Sequence, residues 1–205
     1  MRIFDYLTSK LNEISECHLF TAVELASSEY PKAPVGKHLG LMVRSGKIAR
    51  FSKGKFYKPK ATAFGLLGPN EQEVMKDLLV KDGKQIGYPT GYQIFNILGL
   101  TTQVSWLFQI GCKNPRKRIK RGHCTIAFIK QNNEITESNI PLLQILDAVR
   151  YINKMPETSE KDVQRRLIAI TKELPENQVN EIVSLSNKYS VATQRVLKNL
   201  LAEGT

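Results

Sequence analysis

Residues 33–59 constrain the fold more tightly than any other stretch, because they read as an amphipathic helix followed at once by a short β-wing. In APVGKHLGLMVRSG, Val35, Leu39, Met42 and Val43 recur at helical spacing and define one apolar face. Lys37, His38 and Arg44 fall on the other face. Gly46 stops the helix, since glycine takes the left-handed conformation after a last helical turn at little cost. KIARF then reads as a strand, Ser52-Lys53-Gly54 as a turn, and KFYKP as the returning strand. Residues 32–60 hold seven Lys, two Arg and no acid, a formal charge of +9. A helix and hairpin so charged form an electrostatic footprint for a phosphate backbone.

The charge is unevenly spread. The 205-residue chain carries a net +11, divided as +6 over residues 1–60, +6 over 61–133 and −1 over 134–205. A hydrophobic content of 41% is enough for packed cores and argues against global disorder. The three cysteines, Cys17, Cys112 and Cys124, are too few and odd in number for a secreted disulfide framework, and suit a reducing cytosol. The first residues are amphipathic and contain acids, unlike a signal peptide, and no apolar run approaches bilayer-spanning length. The expectation is a soluble cytoplasmic protein with no membrane partner.

Around the basic helix, residues 2–15 read as a first helix with Phe4, Leu7, Leu11 and Ile14 on one face, and CHLF as a short strand. Thr21 and Glu24 form a capping box that predicts a second helix, ended at Tyr30-Pro31. Residues 32–34 make a turn before the basic helix. Helix, helix, turn, helix, strand, turn, strand is the order of a winged helix-turn-helix. ATAFGLLGP reads as a packed connector, and NEQEVMKDLLVKDG as a helix with Val74, Leu78 and Leu79 inward, followed by Gly83. Thr90 is a candidate cap for a helix containing Tyr92, Phe95, Ile97 and Leu98, closed by Gly99. Residues 103–112 and 123–131 read as strands, with Trp106, Phe108 and Phe128 in the core. Between them, residues 113–121 hold six basic residues. The remainder is helical, with Leu142, Leu143, Ile145, Leu146 and Val149 inward, and Ser159 and Ser190 as caps. The expected fold is α+β: a winged helix-turn-helix over residues 1–60, and over 61–205 a domain with a small β-sheet and several helices.

Two segments carry a family resemblance. The wing ending with Gly54, Phe56, Tyr57 and Pro59, and the later run of Thr90, Gly91, Leu98, Gly99, Leu100, Thr101, Thr102 and Gln103, stand in this order. The pattern resembles the AbiEi-like antitoxins of bacterial type IV toxin–antitoxin systems and the compact transcriptional regulators grouped with them. It covers roughly residues 1–155. The resemblance implies an N-terminal winged helix that binds and represses its own promoter. It also implies a C-terminal domain that opposes a nucleotidyltransferase toxin without forming a stable complex with it. Regulators of this kind are expected to meet inverted half-sites as a homodimer or as cooperating monomers.

The residues expected to contact double-stranded DNA are Lys32, Lys37, His38, Arg44, Arg50, Lys53 and Lys55, with Lys113, Arg116, Lys117, Arg118, Lys120 and Arg121 as a second set. Lys37, His38 and Arg44 would face the major groove or its flanking phosphates, and Lys53 and Lys55 at the wing tip a neighbouring phosphate or the minor groove. Arg44 is the candidate reader of guanine, because its fork takes O6 and N7 together. The 113–121 cluster has two readings: an added DNA or RNA footprint, or a solvated hairpin tip whose charges block edge pairing. With the first, an RNA-binding or ribosome-associated module is the alternative function. Gly87-Tyr88-Pro89-Thr90-Gly91 lacks the phosphate-loop pattern and reads as a structural turn. No cofactor, metal site or enzymatic activity is expected. Cys112, His123 and Cys124 are the only cluster of metal-ligand types, yet residues 123 and 124 point to opposite strand faces, and paired C-x₂₋₄-C spacing is absent. There is no G-x-S-x-G, H-E-x-x-H or other nucleophile motif.

Overall fold

The computed structural model describes residues 2–103, 105–122, 124–155 and 157–204, and its fold is α+β. It divides into two units, Met1–Lys76 and Asp77–Thr205, each with its own apolar core. Residues 61–76, which the sequence groups with the second part, cluster with the first unit.

The first unit begins with α1 (Ile3–Glu13), β1 (Leu19–Thr21) and α2 (Lys32–Arg44). β2 (Ala49–Ser52), β3 (Lys55–Tyr57), β4 (Lys60–Thr62) and β5 (Gly65–Leu67) follow. β1, β3 and β2 form an antiparallel sheet in that order. α2 buries Val35, Leu39 and Met42, the stripe its spacing dictates, against Leu7 and Leu11 of α1 and Phe20 and Phe56 of the sheet. Each such side chain stabilises by roughly 1.5–3 kcal/mol. Phe20 and Phe56 stack across the β1/β3 pair with centroids 6.3 Å apart. Lys58 closes the far end of α1: its ammonium donates to the Leu11 and Ile14 carbonyls, both at 3.0 Å, where cations favour the helix dipole. α3 (Glu71–Leu79) spans the division and is capped by Asn70, whose Oδ1 accepts from the Glu73 N–H at 2.9 Å.

The second unit adds β6 (Val80–Lys81), β7 (Lys84–Gln85), β8 (Gly87–Thr90), α4 (Tyr92–Ile97), β9 (Leu107–Cys112), β10 (Ile119–Arg121) and β11 (Cys124–Lys130). α5 (Ile140–Arg150), α6 (Glu160–Lys172), α7 (Glu176–Ser186) and α8 (Val191–Gly204) complete it. Its mixed sheet has the order β10-β11-β9-β8, with β11 and β9 parallel and the other pairs antiparallel. Leu142, Leu143, Leu146 and Val149 of α5 pack with Tyr88, Phe95, Val163, Leu167 and Leu197. Gly99 closes α4 as its spacing indicates: φ is +71°, and the Leu100 N–H donates to the Phe95 carbonyl at 2.8 Å.

Several expectations change. The capping box at Thr21 forms, with the Glu24 N–H 3.4 Å from Thr21 Oγ1, but only one turn follows. The segment is confined between β1 and Pro31, and Ser27 diverts the chain by accepting from the Tyr30 N–H at 3.1 Å, so a helical nucleus has nowhere to propagate. α2 itself starts at Lys32, earlier than the expected turn. ATAFGLLGP is not a packed connector; it supplies most of the exposed hairpin β4–β5, with Phe64 fully solvent-exposed. The helix expected up to Gly83 ends at Leu79, because Asp82 and Gly83 both take positive φ and turn the β6–β7 hairpin. Thr90 lies in β8 and does not cap α4, whose N-cap is Gly91. Ile97 is exposed. Trp106 is 78% exposed and precedes β9, so it is not core. Phe108 is buried as expected, and Phe128 is half-buried. Finally, residues 113–121 are no hairpin tip. They carry the chain from β9 across to the edge strand β10, which then pairs with β11.

Candidate nucleic-acid interface

α2 turns its polar side outward because its apolar stripe is spent on the core. Lys37 and Arg44 are exposed, and His38 is half-exposed. These three fall within about 120° of the helix circumference at 100° per residue, together with Leu41. His38 Nδ1 lies 3.0 Å from the Pro34 carbonyl oxygen, a contact in which the ring nitrogen donates. Lys32 is the first helical residue, and the first turn contains no acid. Positive potential from the helix dipole and from the side chains therefore adds at this end. Thirteen residues at 1.5 Å each give a probe of about 20 Å.

The β2–β3 hairpin that follows α2 is also basic. Ser52 pairs with Lys55, leaving Lys53 and Gly54 as the tip, and Gly54 takes φ +78° as that tight turn requires. Lys53 is exposed, while Lys55 is half-buried. Arg50 projects from β2, with its guanidinium 5.6 Å from the Phe56 ring centroid. Among the described residues, no ion pair engages Lys37, Arg44 or Lys53.

The structure thus groups Lys32, Lys37, His38, Arg44, Arg50, Lys53 and Lys55 in the first unit, and the other six expected contact residues in the second. Of those six, Lys113, Arg116, Lys117 and Arg118 are exposed on the crossover, and Lys120 and Arg121 belong to β10. Arg121 forms a bidentate pair with Asp77, its Nη2 donating to Oδ2 at 3.0 Å. Arg116 lies over the Phe128 ring, 4.7 Å from its centroid. β10 is an edge strand of its sheet, a position where charges such as that of Lys120 discourage edge pairing.

Cys112 and Cys124 lie too far apart to share an ion. Cys112 pairs with Lys130 in the parallel register, so Cys124 is six residues away on the neighbouring strand, roughly 20 Å at the usual rise. His123 lies outside the described residues. His18 meets a partner that its own segment lacks: Glu73 Oε1 is 2.9 Å from its Nδ1 and also accepts from the Leu19 N–H at 3.1 Å.

A buried polar network escaped the sequence reading. Asp147, 1% exposed, accepts from the Tyr88 hydroxyl at 2.6 Å and the Thr90 hydroxyl at 2.7 Å on Oδ2, and from the Tyr189 hydroxyl at 3.0 Å on Oδ1. Gln131 Nε2 donates to both tyrosine oxygens, at 2.9 and 2.8 Å. Burial pushes the Asp147 carboxyl above its ordinary range, against the opposing pull of its three hydroxyl partners. Burial, with the nearby carboxylate, also raises both tyrosines. The network ties β8, the end of β11, α5 and the α7–α8 link together. Its enclosure makes it a structural tie. The available signal was one acid on an otherwise apolar helix face, Asp147 between Leu143 and Val149.

The fold and surface define a two-unit α+β protein whose first unit presents a basic helix and hairpin. The chain belongs to DUF6088, a family of unknown function, whose model matches residues 12–182. A search of curated proteins finds no match. Among the described residues, no helix is long and apolar enough to cross a membrane.

Proposed function

We propose that the first unit is a winged helix-turn-helix that binds duplex DNA with sequence preference, and that the chain represses transcription from its own promoter. The observation that carries this reading is one arrangement: Lys37, His38 and Arg44 on the outer face of α2, and Lys53 at the tip of the hairpin that follows it. The order α1-β1-α2-β2-β3 with sheet order β1-β3-β2 supports it, with a single turn standing where a middle helix was expected. In this reading α2 enters the major groove, about 12 Å wide, Arg44 reads guanine, and Lys53 holds a flanking phosphate. Inverted half-sites would be met by a homodimer or by two cooperating monomers.

The resemblance to AbiEi-like antitoxins extends the proposal: the repressor is the antitoxin of a type IV pair, and its functional partner is a nucleotidyltransferase toxin. The cytoplasm is the proposed location, in keeping with three cysteines that form no disulfide.

Sequencing of genomic fragments retained by the full chain tests the reading. Enrichment of one inverted motif upstream of its own gene is expected; recovery of DNA without a motif would refute sequence preference. On the matched duplex, Arg44→Ala should lower affinity and relax base preference, whereas Lys53→Ala should weaken matched and scrambled duplexes alike. Equal losses on both DNAs for the two variants would remove Arg44 as a reader. The antitoxin role requires a nucleotidyltransferase gene beside this one whose toxicity the chain relieves.

A further inference from the structure

The second unit contains an open cleft of about 1080 Å³ that the duplex reading does not use. It lies between the β6–β7 hairpin, the β9–β10 crossover and residues 134–137. Its charges are sorted by wall. Lys81 and Lys84 stand on the hairpin and Arg116 on the crossover, whereas Glu134 and Glu137 stand on the third wall. Asp77 and Arg121 also line it, but they satisfy each other in their bidentate pair. The Arg116 guanidinium lies over the ring of Phe128, which also lines the cleft, 4.7 Å from its centroid.

We propose that this cleft binds a nucleotide, either free or at the end of a single nucleic-acid strand. Three features of the cleft match three parts of such a ligand. Arg116, held over the Phe128 ring, carries a planar guanidinium on which a heterocyclic base can stack. Lys81 and Lys84 supply cations to the phosphates. Glu134 and Glu137 accept hydrogen bonds from sugar hydroxyls or from an exocyclic base amine. The volume lies just above the roughly 300–1,000 Å³ of sites that hold small organic ligands, far larger than one phosphate needs. An acidic peptide would use the lysines but neither the stacking plane nor the carboxylate wall. The 113–121 segment thereby gains a role that a duplex footprint does not explain: it places Arg116 in the cleft while β10 covers the sheet edge.

Calorimetric titration of the full chain with the four ribonucleoside triphosphates, and with a five-nucleotide single-stranded RNA, tests the proposal without any duplex. Saturable binding by at least one of them is expected. Binding of the free triphosphates identifies a nucleotide site; binding of the oligonucleotide alone identifies a strand-end site. Arg116→Ala should weaken binding about tenfold, in line with the loss of one stacked base. Arg116→Lys, which keeps the charge and loses the plane, should remain nearly as weak. Lys81→Ala with Lys84→Ala should flatten the salt dependence. All three side chains are exposed, so helix content by circular dichroism should not change. No binding of any probe at millimolar concentration would overturn the proposal. So would an undiminished Arg116→Ala variant, or a glutamate-rich peptide bound as tightly as the best nucleotide.

Discussion

Replacing Asp147 by alanine removes the acceptor for three hydroxyls, those of the buried Tyr88 and Thr90 and the half-buried Tyr189. Gln131 continues to donate to the two tyrosine oxygens, but their O–H groups have no second partner described. A buried donor left unmade costs about 1–3 kcal/mol. The two buried donors within this range, with a smaller share from Tyr189, give about 3 kcal/mol, a large share of a domain's stability. The readout is amide hydrogen exchange along α5, whose buried residues make up much of the second unit's core. A loss of 3 kcal/mol corresponds to exchange roughly a hundredfold faster. Acceleration of only a few-fold would refute the view that the network ties the unit together. Asp147→Asn adds a test of sign. Burial raises the Asp147 carboxyl, so just above pH 3.8 the native state binds more protons than the unfolded chain. Its contribution is therefore fully present below that pH and is lost as pH rises through the higher native value. Wild type should lose stability relative to Asp147→Asn on going from pH 4 towards neutrality; a gain would contradict the burial account.

Three further substitutions probe individual joints. Lys58→Met removes two charge-assisted bonds to the end of α1 and should cost about 1.5–3 kcal/mol, read as faster exchange at the end of α1 with α5 unaffected. Gly91→Ala should destabilise the second unit by about 1–3 kcal/mol, because an added Cβ at a φ of +79° is strained and must displace the half-buried Gln109 side chain. Gly46→Ala, at φ +73° with open space around it, should cost only about 1 kcal/mol, seen as a small fall in thermal midpoint.

Where the sequence was legible, a periodic apolar stripe set the structure. Val35, Leu39 and Met42 of α2, and Leu142, Leu143, Ile145, Leu146 and Val149 of α5, are all buried. Local capping chemistry was equally readable at Ser159, whose Oγ accepts from the Asp162 N–H at 3.2 Å, and at Gly99. Tertiary context decided the rest. A capping box cannot reveal that a strand and a proline leave it one turn. Strand propensity in residues 107–112 and 124–130 does not distinguish a hairpin from a parallel pair, so β10 and the crossover were missed. Asp82-Gly83 is a readable hairpin-turn dipeptide, but it directly follows a strong helical pattern that competes with it. For the candidate surface, the outward face of α2 and the wing tip follow from local pattern. The pairing of Arg121 with Asp77 and of Arg116 with Phe128 depends on contacts distant in sequence.

The most direct test of the central claim is the salt dependence of duplex binding by the full chain, compared with a Lys37→Ala, Arg44→Ala, Lys53→Ala triple variant in fluorescence anisotropy. If Lys37 and Lys53 each neutralise a phosphate and release its counterions while Arg44 is spent on a base, the slope of log K against log salt should fall in magnitude by about 1.8, at about 0.9 per phosphate contact. An unchanged slope, or a wild-type chain that does not bind duplex DNA at low salt, would contradict the account.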